Sequence, residues 1–501
     1  MTLARDCRVP LKHPDRFFIG GGWVQPSSSA LLDVLDSHSE EVFLSVAEAQ
    51  APDMDRAVTA AREAFDKGPW PRMSHQERAG YLRAIAEGLA ARVDDYNEIW
   101  PRESGVVHTI AQYLGQYGPD MFNLYAGLAD TYPFEEVVTP TPSPLPGGDF
   151  GLLCREPVGV VGAIIPWNGP LQLIVNKAAP ALLAGCTMVL KVSPEAPAAG
   201  YVFAEVAEAV GLPAGVVNVV TADRQVSERL VTDPRVDKIS FTGSTAAGRR
   251  IGAIMGGRIG RCTLELGGKS AAVILDDADF GAAAMALAGA ECLLSGQACA
   301  SLTRIVVPRS HHDEFAEALA AAFSAVTVGD PFDISTQMGP LAMERHRDRV
   351  EGYIAKGIEE GANLITGGGR PKHLERGYYI EPTVFAGVDN RHTIAQEEIF
   401  GPVLTVIPAE DEEQAIDIAN DTIYGLNAAV FTADLGRARE VAGRLRSGTV
   451  GQNNFRIDFG IAFGGFKQSG IGREGGREGL LPYLETKTLL LDGPPPGYSA
   501  R

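Results

Sequence analysis

The chain has 501 residues, 45% hydrophobic and 21% charged, with a net charge of −19. That is an ordinary composition for a soluble globular protein of two or three domains with real cores. The acidic balance and the lack of a basic stripe argue against nucleic-acid binding, and no apolar run approaches a membrane span. Six cysteines (Cys7, Cys154, Cys186, Cys262, Cys292 and Cys299) show no CxxC and no framework spacing, as expected of free thiols in a reducing compartment. The first ten residues lack the apolar core of a signal peptide, so the expected location is cytoplasmic.

In chain order, the run 17–24 predicts a short hairpin. Met54, Val58, Ala61 and Phe65 recur at helical spacing and predict a helix over 52–67. A second helix is expected from Ser74, a good N-cap, to about Trp100, with more helix to about Asp130. The composition then shifts. Residues 133–148 hold five prolines and two glycines, and fit either extended arms leaving the domain or a plain linker. From Val158, strands over 158–165, 186–191, 216–220 and 236–242 alternate with helices over 170–183 and 197–210, and a further helix opens at Ser244. Such alternation predicts a parallel sheet with helices on both faces. It resumes after Glu265, with strands over 271–275, 304–307, 363–366, 403–407, 428–431 and 448–451. The expected class is α/β, with two Rossmann-like parallel-sheet domains. The tail 485–491 adds a strand able to pair with the 133–148 arms, which gives a small β arm.

Two runs carry candidate chemistry, Glu265-Leu266-Gly267-Gly268-Lys269 and Gly296-Gln297-Ala298-Cys299. A thiol attacks as thiolate, and a positioned carboxylate can take a proton from the thiol or from an attacking water. A strand, an Ala-rich helix over 281–294 and the turn Ser295-Gly296 separate Glu265 from Cys299 and can return the chain to its start. Alone, a single cysteine is more often a small core hydrophobe, and a Glu beside Gly-Gly is usually a turn carboxylate. The turn Thr242-Gly243-Ser244 joins a strand to a helix start and forms an anion site, a common and weak signal. Asn168, in Ile165-Pro166-Trp167-Asn168, sits at the carboxyl end of a predicted parallel strand, the usual ligand edge. Its amide can stabilise an oxyanion, or it simply caps the next helix.

Together, Pro166-Trp167-Asn168, Phe241-Thr242-Gly243-Ser244, Glu265 to Lys269, Gly296 to Cys299, Glu397-Glu398-Ile399-Phe400-Gly401-Pro402 and the run Phe463 to Glu474 occur in the order and rough spacing of the aldehyde dehydrogenase superfamily, and the whole chain resembles it. The resemblance implies oxidation of an aldehyde to the acid with NAD(P)+. In that scheme Cys299 is the nucleophile, Asn168 and the Cys299 N–H hold the oxyanion, and Glu265 activates the hydrolytic water. It implies cofactor contacts from Ile165, Pro166, Trp167, Lys191, Gly243, Ser244, Glu398 and Phe400, and no metal. In isolation Lys191 would more often be a solvated lysine and Glu398 a surface acid. It also implies a cofactor-binding domain (1–132 and 153–265), a catalytic domain (266–470) and an oligomerisation arm (133–152 and 471–501) that builds a homodimer or homotetramer.

The sequence departs from the family in the run Lys191-Val192-Ser193-Pro194-Glu195, where Pro194 stands in place of the usual ribose-binding Glu. That weakens the argument for NAD over NADP. Glu195 and Asp223 favour NAD, whereas Arg224 argues the other way. Glu265 separates hydrolytic members from the CoA-acylating branch. Small and polar residues at Gly169 and Asn176 imply a wider substrate tunnel, unless neighbours refill it, and an apolar or aromatic aldehyde. Arg456 would suit a carboxylated semialdehyde, although a surface salt bridge explains it more simply. A third reading is a catalytically silent binding protein on the same scaffold. Glu474 fits either a second proton acceptor or a structural ion-pair partner.

Overall fold

A computed structural model describes residues 11–141 and 147–498. The first ten residues and part of the proline-rich 133–148 segment lie outside the described residues. Two large sheets organise the rest. The first orders its strands Gly470–Ile471, Arg261–Glu265, Lys238–Thr242, Val160–Ile164, Thr187–Val192, Val217–Thr221, Phe17–Ile19 and Gly22–Val24. The strands from Arg261–Glu265 through Val217–Thr221 run parallel, and the N-terminal hairpin closes one edge antiparallel. These central strands are buried along almost their whole length, as a sheet covered by helices on both faces requires.

The second sheet runs Asn363–Thr366, Thr383–Ala386, Val403–Ala409, Arg304–Pro308, Ala271–Ile274, Asn427–Phe431 and Thr449–Gln452. All are parallel except the first, an edge strand. The expected α/β class with two parallel sheets is therefore present. A third, antiparallel sheet has the order Leu484–Leu491, Phe150–Pro157, Glu135–Val138.

Three local expectations are corrected. Among the described residues the tail strand pairs with Phe150–Pro157 rather than with the proline-rich segment, and Phe150–Pro157 in turn pairs with Glu135–Val138. The long helix expected from Ser74 is two helices, His75–Ala90 and Val93–Ser104. Ser74 does cap the first, with its Oγ accepting from the Glu77 N–H at 3.2 Å. The strands Arg261–Glu265 and Thr383–Ala386 also lie where none was expected.

Chain direction places the site. Residues 165–168, 193–195, 243–244 and Glu265 leave or end strands of the first sheet at its carboxyl edge. Gly267, Cys299 and Glu398 each precede a strand of the second sheet at its amino edge. The two edges face each other, so all these residues gather in one cleft.

Candidate active site

Cys299 is half-buried in the turn after the helix Phe280–Cys292. The turn needs left-handed backbone at Ser295 (φ 55°) and Gly296 (φ 71°). A Cβ on Gly296 would lie 2.2 Å from the carbonyl carbon of Gly401, so only glycine lets the two loops touch. Gln297 anchors the turn. Its buried amide donates to the Ser104 and Leu294 carbonyls at 3.0 and 3.1 Å, and its Oε1 accepts from the Ala342 N–H at 2.9 Å.

Asn168 reaches the same turn: its Nδ2 donates to the Gln297 carbonyl at 2.9 Å. The helix Val93–Ser104 holds Asn168 from behind, with Trp100 Nε1 donating to the Asn168 carbonyl at 2.9 Å and Ser104 Oγ to the Trp167 carbonyl at 2.6 Å. The Asn168 amide is thus fixed near the cysteine by Gln297 of the Gly296–Cys299 run, and its backbone by Trp100 and Ser104, which the sequence did not single out.

Glu265 ends its strand fully buried, and neither carboxylate oxygen has a hydrogen-bond partner among the described residues. Gly464 lies against it, since a Cβ there would come within 2.7 Å of Glu265 Oε1. Burial, and then the nearby Glu474 carboxylate, push the Glu265 carboxyl well above the usual carboxylate range, while Lys177 and Arg473 pull it back. Lys177 is itself fully buried, pairs with Glu474 and donates to Thr242 Oγ1 at 2.7 Å. Of the two readings left open for Glu474, the ion pair is present. Burial, followed by the Glu398 and Glu265 charges, also raises the Cys299 thiol above its ordinary range.

Of the residues expected to hold a dinucleotide, Lys191 lines a cavity beside the first sheet. This cavity, of about 330 Å³, is lined by Lys191 and Glu195 on one side and by Phe241, Ile251 and Ile254 on the other, which suits a ribose against a flat base. Next to it, a Cβ on Gly243 would collide with the Phe241 ring at 2.6 Å. The Gly243 N–H is already committed to the Glu265 carbonyl at 3.0 Å. The free donors of this turn are therefore in the first turn of Thr245–Gly257, whose N-cap is Ser244. Burial lowers Lys191 to about 8.

Further along, Glu398 Oε1 accepts from the Gly268 N–H at 3.0 Å, and burial pushes its carboxyl up to about 7. Trp167, His346 and Phe400 make an edge-to-face trio with centroids 5.2–5.8 Å apart. His346 Nε2 lies 2.6 Å from the Phe400 carbonyl, and burial holds the imidazole near 4, so neutral His346 donates to it. Phe400 keeps a left-handed φ of 66° there. Ile165 is buried and Pro166 half-buried in the loop that leads to Trp167. These features fit a nicotinamide dinucleotide, and no cluster of metal-ligating side chains occurs among the described residues.

A family model for the aldehyde dehydrogenase family matches residues 23–489. The chain belongs to the aldehyde dehydrogenase family. The geranial dehydrogenase of Castellaniella defragrans is 44% identical over 477 residues, 95% of this chain and 98% of that protein. A Mycobacterium tuberculosis aldehyde dehydrogenase complexed with NAD+ superposes with a TM-score of 0.92 at 47% identity, over 97% of this chain and 99% of its own. A cysteine-to-alanine mutant of aldehyde dehydrogenase C from Pseudomonas syringae, with NAD+ and octanal, gives 0.92 at 38% identity over 98% and 99% of the two chains. The protein is thus an NAD(P)-dependent aldehyde dehydrogenase that oxidises an aldehyde to the acid.

Around the dehydrogenase's cysteine the wall is apolar. Cys299 packs with Phe455 and Phe459 against Ala300, Leu426 and Phe463. Phe459 lies tilted against Phe463, with centroids 4.6 Å apart, and meets Tyr117 edge-on at 5.9 Å. Tyr117 donates to Asn176 Oδ1 at 2.6 Å and covers it, so the width expected at Asn176 is refilled. Gly169 remains open, since a Cβ there would meet only Gln172 Oε1, at 3.6 Å. Arg456 is exposed, donates to the Gln452 carbonyl at 3.1 Å, and makes no ion pair among the described residues. Among the described residues, no helix is long and apolar enough to cross a membrane.

Proposed function

We propose that Cys299 is the nucleophile, Asn168 with the Cys299 N–H the oxyanion holder, and Glu265 the base that releases the acid, and that the substrate is a bulky apolar aldehyde. The single observation that carries the assignment is the Asn168 amide fixed on the Gln297 carbonyl, beside the Cys299 turn. Attack by the thiolate forms a C–S bond and puts negative charge on the former carbonyl oxygen, which the Asn168 amide and the Cys299 N–H receive. NAD+, when bound, supplies the hydride acceptor. Lys191 and Glu195 hold its adenosine half, the Gly243-Ser244 turn its pyrophosphate, Glu398 its nicotinamide ribose, and Ile165, Pro166, Trp167 and Phe400 wall the ring. The resulting Cys299 thioester is opened by a water that gives its proton to Glu265, and the thiol leaves as the acid forms. The buried Glu265 carboxylate, without a hydrogen-bond partner among the described residues, is open to such a water, and its presence favours water over CoA as the acceptor.

NAD+ in the related structures supports NAD over NADP. The phenylalanine wall, together with the likeness to a geranial dehydrogenase and to an octanal-bound relative, supports the apolar substrate. A carboxylated semialdehyde is supported only by Arg456, an exposed side chain whose Nε donates to the Gln452 carbonyl. In the same reading, residues 1–132 and 153–265 bind cofactor and 266–470 carry the chemistry. The arm of 133–152 and 471–501 builds a homodimer or homotetramer in the cytoplasm. Its three-stranded sheet, with Val137, Val138 and Leu490 exposed, offers the surface.

The test is NAD+ reduction over a panel of aliphatic, aromatic, terpenoid and ω-carboxylated aldehydes, with Cys299→Ala alongside. Turnover of the apolar aldehydes, unaffected by CoA and abolished in the variant, is expected. Turnover confined to the ω-carboxylated members would overturn the substrate assignment, and an active variant would overturn the nucleophile.

A further inference from the structure

The turn that carries Cys299 is held on both sides by buried amides. Ahead of the cysteine, Asn168 Nδ2 holds the Gln297 carbonyl. Beyond it, Asn427, the first residue of the strand Asn427–Phe431, sends its own Nδ2 to the Ala300 carbonyl at 3.2 Å. Asn427 is 1% exposed, and its Oδ1 has no hydrogen-bond partner among the described residues. A buried amide left half-satisfied costs stability that an apolar side chain of the same size would not. The fold therefore gains little from Asn427, and what its amide does hold is the peptide next to the nucleophile.

Glu291 reaches the same side of the turn from the helix Phe280–Cys292, of which it is the one charged residue. It is 2% exposed, and its Oε1 has no hydrogen-bond partner among the described residues. Its backbone carbonyl accepts from the Gly296 N–H at 2.7 Å, where the turn begins. Its carboxyl group is hydrogen-bonded to the side chain of Ser301, which is buried and whose N–H closes on the Ala298 carbonyl at 3.1 Å, where the turn ends. Burial pushes the Glu291 carboxyl up to about 8, against the pull of Ser301 and of the Lys269 charge. At neutral pH the group keeps its proton, and glutamine matches it in shape and charge.

We propose that Asn427 and Glu291 are positioning residues for the Cys299 nucleophile, fixing the Ala300–Ser301 side of its turn as Asn168 and Gln297 fix the other. The proposal rests on the assignment of Cys299 made above. Both residues act through the backbone on which the thiol rides. That backbone sets the distance of the sulfur from the substrate carbonyl and aims the Cys299 N–H at the oxyanion, and small errors in either slow the attack steeply.

Rapid mixing of the full-length protein with saturating NAD+ and the best aldehyde of the panel tests it. The amplitude of the NADH burst counts the correctly folded sites, and the burst rate reads how well Cys299 is placed in them. In Asn427→Leu, Glu291→Leu and Ser301→Ala the burst rate should fall at least about tenfold, with the Kd for NAD+, measured by calorimetry, unchanged. Glu291→Gln should recover the rate to within a few-fold of wild type. Glu291→Leu/Ser301→Ala should be no slower than the slower of its two parents, because both remove one contact. A merely structural role would lower the amplitude and the melting temperature and leave the burst rate alone. A wild-type burst rate in Asn427→Leu or Ser301→Ala would overturn the proposal, as would a Glu291→Gln as slow as Glu291→Leu or a double variant that multiplies the two losses. Should a leucine variant fail to fold, Asn427→Ala and Ser301→Ala decide by the same burst rate. An active Cys299→Ala variant would remove the nucleophile assignment as well; a Cys299-dependent burst with unmoved rates removes only this inference.

Discussion

Lys177 shows how one buried side chain conditions the chemistry. Of Lys177 and Arg473, which both lower the Glu265 carboxyl, Lys177 is fully buried, and it holds Glu474 as an ion pair at the same time. Replacing Lys177 by Met leaves Glu474 buried and unpaired, which costs about 3–5 kcal/mol of stability, read from the midpoint of chemical denaturation. The same change removes a charge that lowers the Glu265 carboxyl. Its affinity for protons rises, so a higher pH is needed to ionise it. The rising limb of the pH profile for thioester release should move to higher pH in Lys177→Met, followed as single-turnover hydrolysis; a limb that moves down or stays would contradict the electrostatic account. A lysine as the one charged residue of the helix Pro170–Ala184 was the available sequence signal, since such a residue is almost never buried without a partner. Its partner Glu474 lies far along the chain, and no local pattern joins the two.

At the scale of elements, the turns matter more than the strands they join. Gly296 sits where its φ of 71° and the 2.2 Å approach to Gly401 both refuse a side chain. Gly296→Ala should destabilise the fold by about 1–3 kcal/mol through overpacking and strain and shift Cys299 away from Asn168. The expected result is a lower melting temperature with activity lost out of proportion to it; full activity would mean that the two loops separate freely. The alternating strands and helices were legible because buried parallel strands write themselves as continuous Val, Ile and Ala runs. The break at Ala91–Arg92 was not, because neither Gly nor Pro marks it. The partner of the tail strand was misplaced for another reason: Leu484–Leu491 and Phe150–Pro157 are joined only by long-range pairing, which composition cannot specify. Of the site, Cys299, Glu265 and Asn168 were legible as motifs. Gln297 lies within the Gly296–Cys299 run, but Trp100 and Ser104, whose side chains hold the carbonyls of Asn168 and Trp167, carry no motif.

Across the whole molecule, the active site exists because the carboxyl edge of one parallel sheet faces the amino edge of another. Glu265 and Asn168 come from the first edge, and Cys299 and Glu398 from the second. In the proposed assignment no single sheet holds the complete set, so the chemistry proposed there calls on both halves. The docking also leaves Glu265 buried and without a hydrogen-bond partner among the described residues, near a cysteine framed by phenylalanines. The division of labour between Cys299 and Glu265 is the central claim, and rapid mixing of Glu265→Gln with NAD+ and octanal tests it most directly. The account predicts a burst of NADH equal to the enzyme sites, almost no further turnover, and an octanoyl group on Cys299 seen by intact-mass and peptide mass spectrometry. Steady turnover at the wild-type rate, or a burst without an acylated Cys299, would contradict it.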